Sequence, residues 1–140
     1  MYEYQSKIVR VVDGDTIIVD IDLGFDVILK NQSLRLAGVD TPETRTKDIL
    51  EKKCGILAKE YVQSLLKKGD IHIIKTTLDK KGKFGRILAD FRIGTVFLSE
   101  LLIGKGYAAK YDGQSKEAIR AIHLANQQRL INEGKIIVDG

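Results

Sequence analysis

Three runs rich in aliphatic and β-branched residues open the chain, and the polar punctuation between them restricts the fold more than any other feature. Ser6 to Val12 is rich in Ile and Val, Thr16 to Leu23 alternates apolar and acidic residues, and Phe25 to Ala37 extends the pattern. A side-chain period of two sends successive residues to opposite faces, so these runs predict strands with one buried and one solvated face. Asp13-Gly14-Asp15 predicts a turn between the first two, because Asp and Gly tolerate the backbone angles of tight turns. Leu23-Gly24-Phe25-Asp26 and Lys30-Asn31-Gln32-Ser33 predict further turns or bulges. Pro42, the only proline, is expected to end the third strand and to hold Thr41 extended. Two more strands are expected at Ile71 to Leu78 and Arg86 to Ile93, joined by a polar loop from Asp79 to Gly85.

Helical spacing appears in three places. Cys54, Ala58, Tyr61, Val62, Leu65 and Leu66 share one face of a helix that Gly69 is expected to cap, and Gly55 within it would allow a close approach to the sheet. A second helix is expected to be capped by Ser99 or to begin near it, and to stop between Gly104 and Gly106. A third follows Asp112-Gly113-Gln114-Ser115, has Ala118, Ile119, Ile122, Ala125, Leu130 and Ile131 on its apolar side, and ends at Gly134. The apolar tail from Lys135 would dock on the body or fray. At 140 residues the length suits one domain spanning residues 1–140. Five strands with helices after the third and fifth predict a mainly β, α+β protein: a small closed barrel of the oligonucleotide/oligosaccharide-binding (OB) type with three α-helices.

Cys54 is the only cysteine, which excludes an internal disulfide framework and a thiolate zinc site. No apolar run approaches membrane-spanning length, and the N-terminus has neither a basic segment nor an apolar one of the kind that directs secretion. An intracellular, cytoplasmic monomer without membrane association is the expectation. Lys and Arg number 23 against 19 Asp and Glu, a net charge of +4, so the surface is compatible with a polyanionic partner.

The chemistry concentrates at the punctuation. Asp15, Asp40 and the carbonyl of Thr41 offer hard oxygen donors suited to a divalent cation, provided the strands bring them together. Read singly, each aspartate is a turn residue more readily than a ligand. Glu43 could orient or deprotonate a water beside such a cation, or simply precede a helix. Arg35, between Leu34 and Leu36, faces away from the core if the leucines face into it. Arg35 and Arg86 would match phosphate oxygens in bidentate fashion, or be solvated arginines. Lys80, Lys81 and Lys83 are phosphate contacts or a solvated loop, and Tyr107 and Tyr111 stack on a base or pack. His72 and His123 have no histidine or cysteine at ligand spacing and read as structural or surface residues.

Val12-Asp13-Gly14-Asp15-Thr16, then Leu34-Arg35-Leu36 with Gly38-Val39-Asp40-Thr41-Pro42-Glu43, then Lys83-Phe84-Gly85-Arg86, form an ordered set that resembles the staphylococcal-type thermonucleases over nearly the whole chain. The resemblance implies a five-stranded OB barrel with three helices and a Ca²⁺-dependent endonuclease acting on DNA and RNA. Such an enzyme cuts the 5′ P–O bond and leaves 3′-phosphate ends. It further implies that Asp15, Asp40 and Thr41 hold Ca²⁺, that Glu43 handles the attacking water, and that Arg35 and Arg86 hold the scissile phosphate. Asp13 would support the metal loop from behind. Lys83, Phe84, Tyr107 and Tyr111 would contact substrate, with single-stranded nucleic acid preferred. The chain departs from the family pattern at Gly82, where an acidic residue is usual, at Phe84, which lacks a hydroxyl, and between Tyr107 and Gln114, which lacks a closely spaced tyrosine pair.

A non-catalytic OB module that binds single strands or acts as a scaffold is the rival expectation. Five tyrosines, four phenylalanines and no tryptophan make a poor stacking platform, and such a module has no use for two aspartates, a glutamate and two arginines.

Overall fold

The computed structural model describes residues 2–77 and 87–138. Five long strands, β1 (Tyr2–Asp13), β2 (Thr16–Asp22), β3 (Ile28–Leu36), β5 (Ile71–Thr77) and β6 (Ile87–Ile93), carry the architecture. Three two-residue strands, β4 (Val39–Asp40), β7 (Val96–Phe97) and β8 (Ala109–Lys110), and three helices, α1 (Ile49–Leu65), α2 (Leu98–Lys105) and α3 (Lys116–Asn132), complete the described elements. The sheet runs β3-β2-β1-β5-β6-β7, and a parallel pairing of β3 with β6 closes its five long strands on themselves. A closed five-stranded barrel with three helices results, the expected α+β, OB-like fold. Closure removes the free sheet edges that would otherwise pair with other chains.

The interior is filled by the inward residues of the alternating runs, among them Ile8, Ile17, Val19, Leu34, Leu36, Ile74 and Phe91, all essentially inaccessible to water. Each such side chain contributes roughly 1.5–3 kcal/mol through apolar burial. Ala58 and Val62 of α1, Leu98 and Leu102 of α2, and Leu130 of α3 join the same core. Ser6 is buried among them, and its Oγ donates to the carbonyl of His72 at 2.9 Å.

Several local expectations are refined. Asp13 pairs with Thr16, so Gly14 and Asp15 form the turn of a two-residue hairpin. β3 begins at Ile28 rather than Phe25, because Gly24, Phe25 and Asp26 all adopt positive φ and turn the chain outside the sheet. The bulge near Asn31 is present: its φ is 52°, the register against β2 shifts between Val19 and Ile21, and its N–H donates to Asp20 at 2.9 Å. Pro42 does not end the third strand. β3 ends at Leu36, Gly38 turns the chain at φ 77°, and Val39–Asp40 pairs separately with β8.

The helix ends are set partly by distant residues. Asp48 caps α1, accepting from the N–H groups of Leu50 and Glu51 at 3.1 Å. Its C-cap is Leu66 rather than Gly69, which instead turns the chain toward β5 and donates from its N–H to Ile8. Ser99 does not cap α2. Asp90 on β6 takes that part, accepting from the Ser99 N–H at 3.2 Å and from its hydroxyl. Ser115 caps α3, with its Oγ accepting from Ala118 N–H at 3.1 Å. Ala118 and Ala125 of the expected apolar side are exposed, whereas Ile119 and Leu130 are buried. The tail docks through Ile136, while Ile137 and Val138 stay exposed.

Candidate active site

The site forms where the ends of β1, β2 and β3 meet the chain leading into α1. Register brings Arg35 opposite Thr16, and the Leu36 N–H donates to the Asp15 carbonyl at 2.8 Å, so the hairpin turn and Arg35 are neighbours by strand pairing alone. Leu34 and Leu36 are buried, which sends Arg35 to the opposite face. Its Nη1 donates to the Leu36 carbonyl at 2.9 Å, which holds one corner of the guanidinium near its own strand.

Two carboxylates flank that guanidinium. Asp15 Oδ2 lies 3.4 Å from Nη1 and Asp40 Oδ1 lies 3.4 Å from Nη2, with the arginine and Asp15 side chains about one-sixth exposed. Well-formed charge-assisted bonds run about 2.7–2.9 Å, so both contacts are long and leave the guanidinium able to turn to another anion. Asp15 Oδ2 also accepts from the Thr41 N–H at 3.3 Å, tying the turn to the β4 segment. Asp13 holds the same segment farther along, accepting from the Thr44 hydroxyl at 2.8 Å.

α1 is pressed against this segment at Gly55. A β-carbon there would stand 2.7 Å from the carbonyl oxygens of both Pro42 and Glu43, a distance that real side chains do not adopt. The close approach expected of this glycine is therefore made to the site loop rather than to the sheet. Gly14 is similarly crowded, with a β-carbon meeting Ala58 Cβ at 3.0 Å and Thr41 Cγ2 at 3.1 Å.

Glu43 enters an already negative neighbourhood. Partial burial and the charges of Asp15, Asp40 and Asp13 hold its carboxyl above the usual carboxylate range. Cys54, one turn into α1, has its thiol pushed up to about 11 by burial and by Asp48 and Glu51, so it is inert as a nucleophile near neutrality.

The donor chemistry suits a hard cation. Asp15, Asp40, Glu43 and Thr41 offer only oxygens, and the carboxylate repulsion that adds to burial in raising the Glu43 carboxyl is what a divalent ion would relieve. Among the described residues, no three His, Cys, Asp or Glu side chains form a ready-made cage. A cation here would rest on two carboxylates, backbone oxygen and water.

Beside the carboxylates opens a cleft of about 460 Å³ between the Asp40–Glu51 segment and α3, walled by Glu43, Tyr111, Lys116, Ile119, Arg120 and His123.

A family model described as "Staphylococcal nuclease homologue" matches residues 33–133. A thermonuclease of Staphylococcus hyicus is 35% identical over 127 residues, covering 90% of this chain and 71% of the relative. The chain belongs to this family. A thermonuclease of Staphylococcus intermedius is 34% identical over 99 residues, and endonuclease YhcR of Bacillus subtilis (strain 168) is 28% identical over 152 residues. The chain spans 55% of the former and 12% of the latter, so YhcR is mostly other sequence.

Within this staphylococcal nuclease homologue, the residues expected at the site divide into four groups. Asp15, Arg35, Asp40, Thr41 and Glu43 come together. Tyr111 lines the cleft, and its N–H donates to the Gly38 carbonyl at 2.9 Å. Tyr107 does not join it: the ring is buried, 5.3 Å from that of Tyr61, with Lys135 Nζ 5.3 Å above it. A base cannot stack on a ring enclosed in this way, so Tyr107 is a core residue. Lys83, Phe84 and Arg86, with Lys80 and Lys81, lie outside the described residues.

One residue at the site carries no signal in the sequence. His123 Nε2 lies 2.8 Å from Asp40 Oδ2, joining side chains 83 residues apart. Only the packing of α3 against the β4 segment reveals the pair. No helix among the described residues is long and apolar enough to cross a membrane.

Proposed function

We propose that this chain is a Ca²⁺-dependent endonuclease that hydrolyses phosphodiester bonds of DNA and RNA through one nuclease domain spanning residues 1–140. The observation that carries this reading is the convergence of Asp15 and Asp40 on Arg35, beside a Glu43 whose carboxyl is held up by burial and by their charge. Phosphodiester hydrolysis needs both signs of charge at one point: carboxylates to hold a cation and manage water, and guanidinium to hold the phosphate. Membership of the family and relatives named thermonuclease and endonuclease support a nuclease over a binding module.

Asp15, Asp40 and the Thr41 carbonyl would hold Ca²⁺. When bound, the ion supplies positive charge that attracts the phosphate and offsets charge building on its oxygens. Arg35 turns from its two long carboxylate contacts to the non-bridging oxygens, and Arg86 holds the phosphate with it. Glu43 orients the attacking water and accepts its proton, and its raised pKa strengthens it as a base once ionised. The water oxygen bonds to phosphorus as the bond to the 5′ oxygen breaks, and that oxygen takes a proton from solvent water, leaving a 3′-phosphate and a 5′-hydroxyl. Lys83, Phe84 and Tyr111 contact flanking nucleotides, and an unpaired strand is preferred because it enters the cleft beside Asp40 without prior melting.

The test is incubation of purified protein with single-stranded DNA in EDTA, in Mg²⁺ and in Ca²⁺, with duplex DNA and RNA in parallel. Cleavage that requires Ca²⁺ and yields 3′-phosphate ends is expected. Binding without cleavage in every condition overturns the enzymatic reading, and cleavage in EDTA overturns the cation.

A further inference from the structure

Among the described residues, His123 makes the shorter of the two side-chain contacts to the Asp40 carboxylate, and its chemistry is directional. An ionised carboxylate only accepts hydrogen bonds, so Nε2 carries the proton in this pair and donates to Oδ2 at 2.8 Å. The other ring nitrogen, Nδ1, is buried and has no hydrogen-bond partner among the described residues. A ring with one nitrogen committed and the other enclosed has little reason to rotate.

The helix behind the ring is anchored on both sides of the polypeptide it faces. One turn on, Asn126 Nδ2 donates to the Ala108 carbonyl at 3.3 Å. Two turns on, Arg129 Nη2 donates to the Gly104 carbonyl at 2.9 Å. Ala109 pairs with Asp40 across β8 and β4, so backbone and side chain of Asp40 are held by adjoining parts of the same C-terminal structure.

The consequence concerns the other carboxylate oxygen. With Oδ2 held by His123, Asp40 Oδ1 is directed to the Arg35 side, where Asp15 Oδ2 also lies. Without the imidazole, Asp40 is free to rotate and to engage Arg35 with both oxygens. That arrangement would withdraw an oxygen from a cation and a guanidinium from the phosphate together.

From this geometry we infer that His123 is a positioning residue for the cation site, fixing Asp40 so that Oδ1 faces the space shared with Asp15. The inference rests on the calcium-dependent reading of the site. Outer partners that orient a metal-binding carboxylate typically change affinity about 10–100-fold when removed.

Calorimetric titration of the folded protein with Ca²⁺ alone tests it without recourse to catalysis. His123→Ala is expected to bind Ca²⁺ about tenfold more weakly than wild type. His123→Gln, whose amide N–H reaches a position close to that of Nε2, is expected to restore most of the affinity. His123→Asn, one atom shorter, is expected not to. Equal Ca²⁺ affinity in wild type and His123→Ala, with only a lowered urea midpoint in the variant, makes His123 merely structural and overturns the inference. No Ca²⁺ binding by wild type overturns the calcium reading itself and this inference with it. The imidazole nitrogen spectrum of the metal-free wild type gives a readout independent of both: a proton on Nε2 is expected for His123, and a proton on Nδ1 alone overturns the inference whatever calcium does.

Discussion

Strand β2 runs between two turns of related local chemistry, and the turns have become opposite kinds of place. At its start, Asp13-Gly14-Asp15 lies under α1, with Gly14 buried against Ala58 and Asp15 beside Arg35. At its end, Leu23 to Val27 projects into solvent, with Phe25 fully exposed and Gly24 free of neighbours within 4 Å of a would-be β-carbon. Both turns use Asp and Gly. What separates them is the third element packed on one and absent from the other, since enclosure lowers the local dielectric and turns carboxylates from solvated groups into interacting ones.

The largest expected effect lies at the enclosed end. Arg35→Ala removes the guanidinium and is expected to lower kcat about 10²–10³-fold, roughly 2.7–4 kcal/mol of transition-state stabilisation, with the fold retained. Cleavage assays beside circular dichroism check this, and near-wild-type turnover by a folded variant would take Arg35 out of the reaction.

Gly55→Ala tests the enclosure rather than the chemistry. Ala is intrinsically favoured over Gly in a helix by about 1 kcal/mol. The new methyl must nevertheless displace two carbonyl oxygens at 2.7 Å, and overpacking costs typically 1–3 kcal/mol. The second effect is expected to win. Stability should fall, Glu43 should move with the loop, and activity should fall by more than the lost folded fraction. Cys54 reports the same event: its buried thiol, held up to about 11, is expected to label slowly in the wild type and faster in the variant. A stabilised, fully active Gly55→Ala protein would show that the loop yields freely.

Asp20, toward the solvent end of β2, gives a smaller effect with a defined pH signature. Its pKa is lowered from 3.8, chiefly by the hydrogen bond from the Asn31 N–H and also by Lys30 and Lys7. A depressed folded-state pKa stabilises the protein above the unfolded value, and that contribution is lost as pH falls through the folded value. Urea midpoints of Asp20→Ala should therefore lie below wild type at neutral pH, and the two should converge as pH falls below 3.8. A gap that persists in strong acid would assign the effect to something other than this ionisation.

Phe25→Ser should do least. A fully exposed side chain has no packing to lose, so stability within about 0.5 kcal/mol of wild type and unchanged cleavage are expected. A large loss of activity would bring the solvent end of β2 into the function and break the contrast.

The strands, the hairpin at Gly14–Asp15, the start of α3 after Ser115 and the bulge at Asn31 were legible in the sequence because each depends on interactions spanning a few residues. Arg35 was legible for the same reason: burial of Leu34 and Leu36 sends the residue between them outward. Elements that depend on distant partners were not legible. Asp90 on β6 caps α2 in place of Ser99, and β4 breaks away from β3 to pair with β8. The two tyrosines look alike in sequence, yet one is enclosed by Tyr61 and Lys135 while the other lines the cleft.

The sequence by itself determined which residue types were available and the local geometry that carries them: period-two strands, a carboxylate-bearing turn and, at α1 and α3, helices capped from within. Tertiary structure alone decided which were to meet. Gly55 became the seat of the site loop, and His123 became the partner of Asp40 across 83 residues. The physical reason is that turn and cap energies act over three or four residues, whereas barrel closure and helix docking fix contacts through space between segments whose separation in sequence carries no trace of them.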